Sequence, residues 1–282
     1  MTIARRRRIP LMLVAGMLLA SCGSDAPRTK TVTVREPAPL PSSAPGADLP
    51  QGGEPYAIDA DSFTSDVDNR YFPLEPGTQY TYREIDGRGT ESTVVVTVST
   101  ETRTVANGVT ARVVRDTVTT DGEVVEDTLD WYAQDADGNV WYLGEDTAEF
   151  EDGAVASREG AWEAGVDGAL PGIIMPATPV DGMAYRQEYQ KGEAEDNGEV
   201  IAVGEQAQVA AGHYDDVVVT KDWITIEPKA LEFKFFAPGV GTVLTLDVSG
   251  DSGREELVKI EHVSDAVARR AATAKLGESY LD

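Results

Sequence analysis

The chain has 282 residues, of which 49 are acidic and 24 are basic, so its formal net charge is −25 at pH 7. A surface this acidic repels nucleic acid phosphates and anionic lipid headgroups, which excludes nucleic acid as a partner. The single cysteine excludes an internal disulfide, and two histidines without ligand spacing argue against a zinc site.

The first 21 residues have the features of a secretory signal peptide. Arg5 to Arg8 precede an apolar stretch over residues 9–20 that is too short to span a bilayer. The run 19–22, Leu-Ala-Ser-Cys, resembles the lipobox of bacterial lipoproteins. This resemblance implies cleavage after Ser21 and attachment of acyl chains, such as palmitate, to Cys22. Two or three acyl chains would anchor the protein on the extracytoplasmic face of a membrane in the cell envelope.

Residues 22–53 form a proline-rich segment with almost no large apolar side chain. Such a segment cannot bury enough apolar surface to order itself, so it is predicted to be a disordered tether. A chain that starts at Glu54 is therefore expected to melt as the longer chain does. The β domain is expected over residues 54–263, and a short helix and tail over residues 264–282.

Turn dipeptides divide the β domain at regular intervals. Asp-Gly and Asn-Gly supply the positive φ that tight hairpin turns require, at Gly108 and Gly122 above all. From residue 107 onward the dipeptides recur every 14 to 16 residues, which leaves room for one strand between successive turns. They begin at Asp86, Asn107, Asp121, Asp137, Asp152, Asp167, Asp181 and Asn197.

Apolar and polar residues alternate between these turns, which is typical of strands. Among the apolar sets that share a face are Val94, Val96 and Val98, then Val217, Val219 and Trp223, then Leu231, Phe233 and Phe235. The pattern predicts an all-β, single-domain antiparallel meander that curls into a half-barrel or barrel, because a broad sheet does not stay flat. Near the C-terminus, Ser264 is expected to cap a helix over about residues 265–276, with Gly277 stopping it.

Two apolar stretches bounded by prolines, residues 69–78 and 169–176, are expected to be irregular segments that fold back onto the sheet. The second is predicted to be a loop that closes one end of the curved sheet, as a lid or a ligand contact on its concave face. Its apolar residues, which carry more apolar surface than a solvent-exposed loop needs, are Leu170, Ile173, Ile174 and Met175.

The runs 69–78, 130–142, 160–172 and 237–241 resemble those of a family of uncharacterised secreted bacterial lipoproteins of actinobacterial type. The resemblance covers most of residues 66–246. The last run, Ala-Pro-Gly-Val-Gly, is also similar to the closing turn of half-barrel envelope lipoproteins that carry lipids or lipoproteins. The resemblance implies a curved sheet and an envelope location, and it implies no particular activity.

One run has the oxygen spacing of a calcium loop. Asp135, Asp137 and Asn139 place oxygen atoms at alternate positions, but the glycine falls fourth instead of sixth and strand follows, so an EF-hand is excluded. A hairpin turn explains the run without any metal. A weak surface calcium site stays open beside that interpretation, and no other cofactor is predicted.

These features favour a non-catalytic binding or carrier module for an apolar ligand, a wall component or an envelope protein. The alternative is a hydrolase of envelope carbohydrate, since glycoside hydrolysis needs two carboxyl groups about 5 to 9.5 Å apart. The candidate acids, which lie near Trp131, Trp141 and Trp162, are Glu126, Asp130, Glu145 and Glu163. A deep apolar cavity would favour carriage, and two facing acids in an open cleft would favour hydrolysis.

Overall fold

The computed structural model describes residues 44–249 and 252–281, which form fourteen strands, a 3₁₀ turn at Ala60–Ser62 and a helix, α1, at Asp265–Thr273. The strands are β1 (Thr78–Ile85), β2 (Glu91–Thr104), β3 (Thr110–Thr120), β4 (Glu123–Gln134), β5 (Val140–Glu151), β6 (Ala154–Ser157), β7 (Trp162–Glu163), β8 (Leu170–Met175), β9 (Ala184–Gln190), β10 (Ala194–Val209), β11 (Gly212–Ile224), β12 (Leu231–Ala237), β13 (Gly241–Asp247) and β14 (Gly253–His262).

The sheet closes on itself. Within the series β1 to β5, and within the series β8 to β14, each strand pairs antiparallel with the one that follows it. Strand β5 pairs with β8 and so joins the two series. The ring closes between β1 and β14, where Tyr80 lies opposite Ile260. The result is a twelve-stranded antiparallel barrel, which confirms the predicted all-β meander. Of the two predicted forms, half-barrel and barrel, the sheet adopts the closed barrel. Closure removes the unpaired edges that an open sheet would expose. Strands β6 and β7 pair with β5 outside this ring.

The hairpin turns largely follow the predicted dipeptides. Gly108 and Gly122 have φ of +91° and +85°, which confirms the prediction, and Asp121 is also left-handed, as the first position of a type I′ turn requires. The prediction is wrong for the Asn197-Gly198 dipeptide, which lies inside β10. A Cβ at Gly198 would lie 2.8 Å from a ring carbon of Tyr185, so this glycine serves side-chain packing.

Residues 170–175 form strand β8 of the barrel wall, so their assignment to a loop is wrong. Ile173 lies opposite Trp141 of β5, and Leu170 and Pro171 pair with β9. Pro171, which favours a loop in the sequence, is the second residue of β8. The ladder between β8 and β9 is only two residues long, and proline is tolerated near the start of such a strand. These residues therefore provide no separate loop that could act as a lid.

The end of the predicted tether packs against the barrel. Among residues 44–53, the Pro50 carbonyl accepts a hydrogen bond from the backbone N–H of Arg186 at 2.7 Å. The Arg186 guanidinium donates to the carbonyls of Gly52 and Glu54 at 2.7 and 2.8 Å. The boundary predicted at residues 53 and 54 is therefore too late, because strand β9 supplies partners that the composition of the segment does not reveal.

Residues 69–77 close one end of the barrel. Asn69 Oδ1 accepts a hydrogen bond from the backbone N–H of Phe72 at 3.2 Å, which holds a tight turn. The ring of Phe72 lies 5.3 Å from that of Tyr132 on β4 and 6.4 Å from that of Phe236 on β12. Because β4 and β12 are six strands apart in the ring of twelve, Phe72 fills the space between opposite walls. We call residues 69–77 the plug.

Helix α1 packs against β2 and β3. Ser264 caps it by accepting a hydrogen bond from the backbone N–H of Val267, as predicted. The helix ends at Thr273, three residues earlier than predicted, and the guanidinium of Arg115 binds the carbonyls that follow its last turn.

Cys22, the signal peptide and residues 22–43 of the predicted tether lie outside the described residues. The lipid anchor therefore stays a prediction from the sequence. Within the part of the chain that the structure describes, no helix is both long and apolar enough to cross a membrane.

Candidate functional site

A group of carboxyl side chains lies on the inner face of the barrel. Alternate residues of a strand face opposite sides, so Val218, Thr220 and Asp222 of β11 share one face, and all three are buried. Neighbouring strands add acids on the same face. The inner carboxyl residues include Asp116, Asp130, Glu145, Glu188, Asp196, Asp222 and Glu232.

Strand register sets six of these acids directly opposite one another. The pairs are Asp130 with Glu145, Glu188 with Asp196, and Asp222 with Glu232. Like charges in this arrangement destabilise a sheet, and the low dielectric of a protein interior strengthens their repulsion. Each pair therefore favours a bound proton or a nearby positive charge over two ionised carboxylates.

Lys234 of β12 supplies a positive charge to one of the pairs. Its Nζ atom lies 3.2 Å from Asp222 Oδ2 and 3.4 Å from Glu232 Oε2. Burial lowers the pKa of Lys234, but the charges of the two carboxylates outweigh burial and raise that pKa above its ordinary value. Burial raises the pKa of Glu232, and the Lys234 charge partly offsets this. Lys234 is therefore held as an ammonium group inside the barrel.

Burial and the neighbouring acid shift the pKa values of Glu188 and Asp196. Burial, followed by the negative charge of Asp196, raises the pKa of Glu188 well above its ordinary value. Burial also raises the pKa of Asp196 to about 6, although a hydrogen bond from Glu188 and the Lys234 charge act to lower it. Both shifts favour the protonated form of the pair.

Aromatic hydroxyl groups line the same space. Tyr142 donates a hydrogen bond to Asp130 Oδ1 at 2.8 Å, and its ring stacks on that of Tyr132 at 5.0 Å. Burial raises the pKa of both tyrosines well above the ordinary value, so their hydroxyl groups stay protonated and can donate.

The structure brings together two of the four acids that the sequence proposed for hydrolysis. Asp130 and Glu145 are directly opposed, and both are buried. Glu163 lies elsewhere, in an ion pair with Arg103 at 2.6 Å, and Glu126 lies opposite Glu149. The pair that does converge is enclosed by the barrel instead of facing an open cleft.

The residues of the predicted calcium site lie in the turn between β4 and β5. Asp135 Oδ1 accepts hydrogen bonds from the backbone N–H groups of Asp137 and Asn139, and Asp135 Oδ2 accepts from the indole of Trp141. Asn139 Oδ1 accepts from the backbone of Ala177. Within the described residues, no group of three His, Cys, Asp or Glu side chains is placed to hold a metal ion. Calcium binding at this turn stays a prediction.

The residues of the predicted lid are part of the wall. Ile173, Ile174 and Met175 are buried in the hydrophobic core, and Leu170 is partly exposed. Contact of these four residues with a ligand stays a prediction.

An open pocket of about 340 Å³ lies where the plug meets the ends of β1 and β14 and the turn between β12 and β13. We call it the end pocket. Its apolar lining comes from Pro73, Tyr80, Val240 and Ile260, and its polar lining includes Glu75, Glu261 and His262.

Tight packing between the plug and β14 shapes the end pocket. A Cβ at Gly77, whose φ is +88°, would lie 2.6 Å from the imidazole of His262, so only glycine lets these segments approach. The Gly239 N–H donates to the Arg70 carbonyl at 2.7 Å, which joins the turn to the start of the plug. Burial, followed by the charge of Glu75, raises the pKa of Tyr80 to about 12, so its hydroxyl stays neutral.

The sequence did not reveal the inner acids of β9 to β12. On β11 the pattern favours the face of Val217, Val219 and Trp223. Val217 and Val219 are buried and Trp223 is partly exposed, but the opposite face, which carries Asp222, is buried as well. The signal that could have found Asp222 is that the second face of β11, with Val218, Thr220 and Asp222, also contains an apolar residue. Nothing local shows which of two such faces a closed sheet will turn inward.

No protein-family model matches the chain, and no curated protein matches it. Solved structures that are similar include an exported protein with a YmcC-like fold from Bacteroides fragilis (17% identity, TM-score 0.38) and a lipoprotein from Parabacteroides distasonis (13% identity, TM-score 0.39), each covering 68% of this chain and 99% of its own.

A beta-barrel-like protein from Brucella abortus, from a domain family of unknown function, is also similar, with 14% identity and a TM-score of 0.35 over 66% of this chain and 98% of its own. At these values the likeness supports neither a function nor a partner, and the barrel rests on the strand pairing of this chain. Membership of an actinobacterial lipoprotein family stays a prediction.

Proposed function

We propose that the protein is a lipid-anchored module of the cell envelope that binds a small amphipathic ligand in the end pocket and does not catalyse a reaction. Its location follows from the signal peptide and the lipobox at Cys22. The lumen is a poor site for an apolar ligand, because Phe72 and the inner tyrosines fill one part and buried carboxyl groups occupy another.

One observation supports ligand binding at the end pocket. Three segments that are distant in sequence, the plug, the turn around Gly239 and the end of β14, meet around one pocket with an apolar and a polar side. Ile260 is 41% exposed there, so its apolar side chain is accessible to a ligand in the pocket. An apolar surface with a few convergent polar groups is the usual form of a small-molecule site.

The polar lining favours a ligand with a cationic or hydrogen-bonding head. Glu75 and Glu261 carry negative charge, and the protonated hydroxyl of Tyr80 can donate a hydrogen bond. An apolar tail would lie against Val240 and Ile260. An anionic ligand would be repelled by the two carboxylates and by the acidic surface as a whole.

Anchoring is tested by the substitution Cys22→Ala. We expect this variant to leave the membrane fraction or to accumulate as unprocessed precursor, because the acyl chains attach to this sulfur. Cell fractionation and the mass of the mature chain measure the outcome. Membrane attachment equal to that of the parent would rule out the lipid anchor.

Ligand binding is tested by mass spectrometry of small molecules that copurify with the natively extracted protein. The substitution Ile260→Gln should remove such a molecule, because it places a polar amide against the apolar tail. Ile201→Gln is the matched control, since Ile201 is an isoleucine of similar exposure, 39%, on β10 outside the pocket. Equal loss or equal retention in the two variants would contradict binding at the end pocket.

Hydrolysis of envelope carbohydrate is the second candidate, and the direct opposition of Asp130 and Glu145 is what favours it. Their burial in a closed barrel leaves a polymer no approach in this conformation, and the Tyr142 hydroxyl already binds Asp130. The double substitution Asp130→Asn with Glu145→Gln separates the candidates. Hydrolysis of cell-wall glycans by the parent, lost in this variant, would favour the enzyme.

A further inference from the structure

The pair of Glu188 and Asp196 is among the most enclosed in the barrel. Glu188 on β9 and Asp196 on β10 lie directly opposite each other, with exposures of 5% and 3%. Two ionised carboxylates that face each other at this depth would repel each other strongly in the low dielectric of the interior. The register and the burial therefore favour one bound proton for the two acids.

Further charges act on this pair from the neighbouring strands. Glu145 of β5, which faces Asp130 of β4, adds negative charge on one side. Asp222 of β11 and Glu232 of β12 add negative charge on the other, and Lys234 of β12 adds a positive charge. Since Lys234 already lies between Asp222 and Glu232, it does not neutralise all the carboxyl groups that surround it.

Polar atoms without partners point to the same space. The hydroxyl of Tyr185 and Oε1 of Gln187, both on β9, have no hydrogen-bond partner among the described residues, and their exposures are 1% and 2%. The ring of Tyr185 lies beside Gly198 of β10. Burial, followed by the charge of Asp222, raises the pKa of its hydroxyl. Buried polar atoms of this kind are usually satisfied, so their presence beside the acids marks a site that takes up something polar or charged.

We propose that the Glu188 and Asp196 pair is a proton-binding site that holds one proton at neutral pH and takes up a second in mild acid, which makes the protein more stable in mild acid than at neutral pH. This site is separate from the end pocket and does not depend on the function proposed there.

The direction of the pH dependence follows from the two carboxyl groups. Burial raises the pKa of Glu188 well above the ordinary value and that of Asp196 to about 6. In the unfolded chain both return to ordinary carboxyl values of about 4. Between about pH 4 and pH 6 the folded state therefore binds more protons, so its stability falls as the pH rises through this range.

Other carboxyl groups act in the opposite direction. Hydrogen bonds from Arg83 and Arg254 lower the pKa of Glu256, and backbone hydrogen bonds lower the pKa of Asp86. The stability that these two groups contribute increases as the pH rises, so they partly offset the effect of the inner pair. A comparison between variants therefore isolates the contribution of the inner pair.

The first experiment measures melting temperatures at pH 5, 6, 7 and 8 for the parent, for Asp196→Asn and for Glu193→Gln. Glu193 is an exposed acid in the turn between β9 and β10 and serves as the matched control. We expect the parent and the control to lose on the order of 5 °C from pH 5 to pH 8, and Asp196→Asn to lose much less and to melt higher at pH 8. A parent that melts equally at all four values, or an Asp196→Asn variant with the parent's slope, would overturn the proposal.

The second experiment stays informative if Asp196→Asn does not fold. Infrared spectroscopy of the parent at neutral pH should show the carbonyl band of a protonated carboxyl group, reduced in Glu188→Gln and unchanged in Glu193→Gln. Absence of the band in the parent would overturn the proposal. A melting temperature that rises with added Na⁺ or Ca²⁺ but not with acid would also overturn it, because a cation would then neutralise the pair.

Discussion

At the scale of single residues, one buried arginine of the barrel forms an ion pair with a buried carboxylate. Arg115 of β3 is fully buried and forms a two-point ion pair with Asp127 of β4. The same guanidinium binds the carbonyls of Ala274 and Lys275 after helix α1, and it lies 4.7 Å from the ring centre of Tyr280. A cation at the C-terminal end of a helix interacts favourably with the helix dipole, so one residue joins the wall, the helix and the tail.

Removing the partner of a buried charge is expected to be costly. The substitution Asp127→Asn should reduce the free energy of unfolding by about 3 to 5 kcal/mol, because it leaves Arg115 buried without a counter-charge. Chemical denaturation measures the change. The control is Asp146→Asn, whose partner Arg158 is in an exposed ion pair at 2.8 Å and should change stability by less than about 1 kcal/mol. Equal effects of the two substitutions would show that burial does not govern the Arg115 pair.

At the scale of elements, the segment before the plug is held by strand β9. Arg186 is buried and has carbonyl oxygens as hydrogen-bond acceptors, two from Gly52 and Glu54 and one from Pro171 of β8. Burial lowers the pKa of Arg186 to about 10, so its guanidinium is still charged at neutral pH. The segment thereby satisfies a buried cation that the barrel alone would leave with fewer partners.

Truncation tests this role of residues 44–53. A chain that starts at Glu54 loses the Gly52 carbonyl, whose hydrogen bond to the charged guanidinium is worth about 1.5 to 3 kcal/mol. It also loses the Pro50 carbonyl, whose hydrogen bond to a backbone N–H is worth about 0.5 to 1.5 kcal/mol. We expect its melting temperature to fall by on the order of 5 °C. A chain that starts at Ala44 keeps these contacts and should melt with the full mature protein. If both truncations melt alike, the segment is a passive tether, as its composition suggested.

At the scale of the whole molecule, closure of the sheet and filling of its lumen depend on each other. The ring of twelve strands encloses a space that side chains must occupy, since protein interiors are close-packed. Phe72 of the plug occupies one end by touching Tyr132 and Phe236 on opposite walls, and the acid pairs occupy another part. The barrel therefore combines an apolar end with a charged interior.

Shortening the plug side chain should weaken the whole barrel. The substitution Phe72→Ala should reduce the free energy of unfolding by about 3 to 5 kcal/mol, because it leaves a cavity between the two walls. Phe233→Ala is the control, since Phe233 is a partly exposed phenylalanine on β12 and should lose less. Chemical denaturation compares them. Should Phe233→Ala lose as much as Phe72→Ala, the plug does not close the barrel.

The limits of prediction are clearest where one strand has two plausible faces. On β11 the apolar residues Val217 and Val219 predict one buried face, and both are buried, yet Thr220 and Asp222 on the opposite face have no exposure either. The prolines in the apolar stretch with Ile173 predict a loop, although this stretch completes the wall between β5 and β9. In both cases the local pattern is compatible with either outcome, and the neighbouring strands decide.

The sequence by itself determined the features that depend on a few consecutive residues. The Asp121-Gly122 turn, the alternation of the strands and the Ser264 cap follow from local backbone and side-chain preferences, and the lipobox at Cys22 is likewise local. Only the tertiary structure decided closure, which pairs Thr78 with His262, and the opposition of Glu188 and Asp196. The physical reason is register: which residues face one another across two strands, and which face the lumen, is set by how the strands pack into the ring.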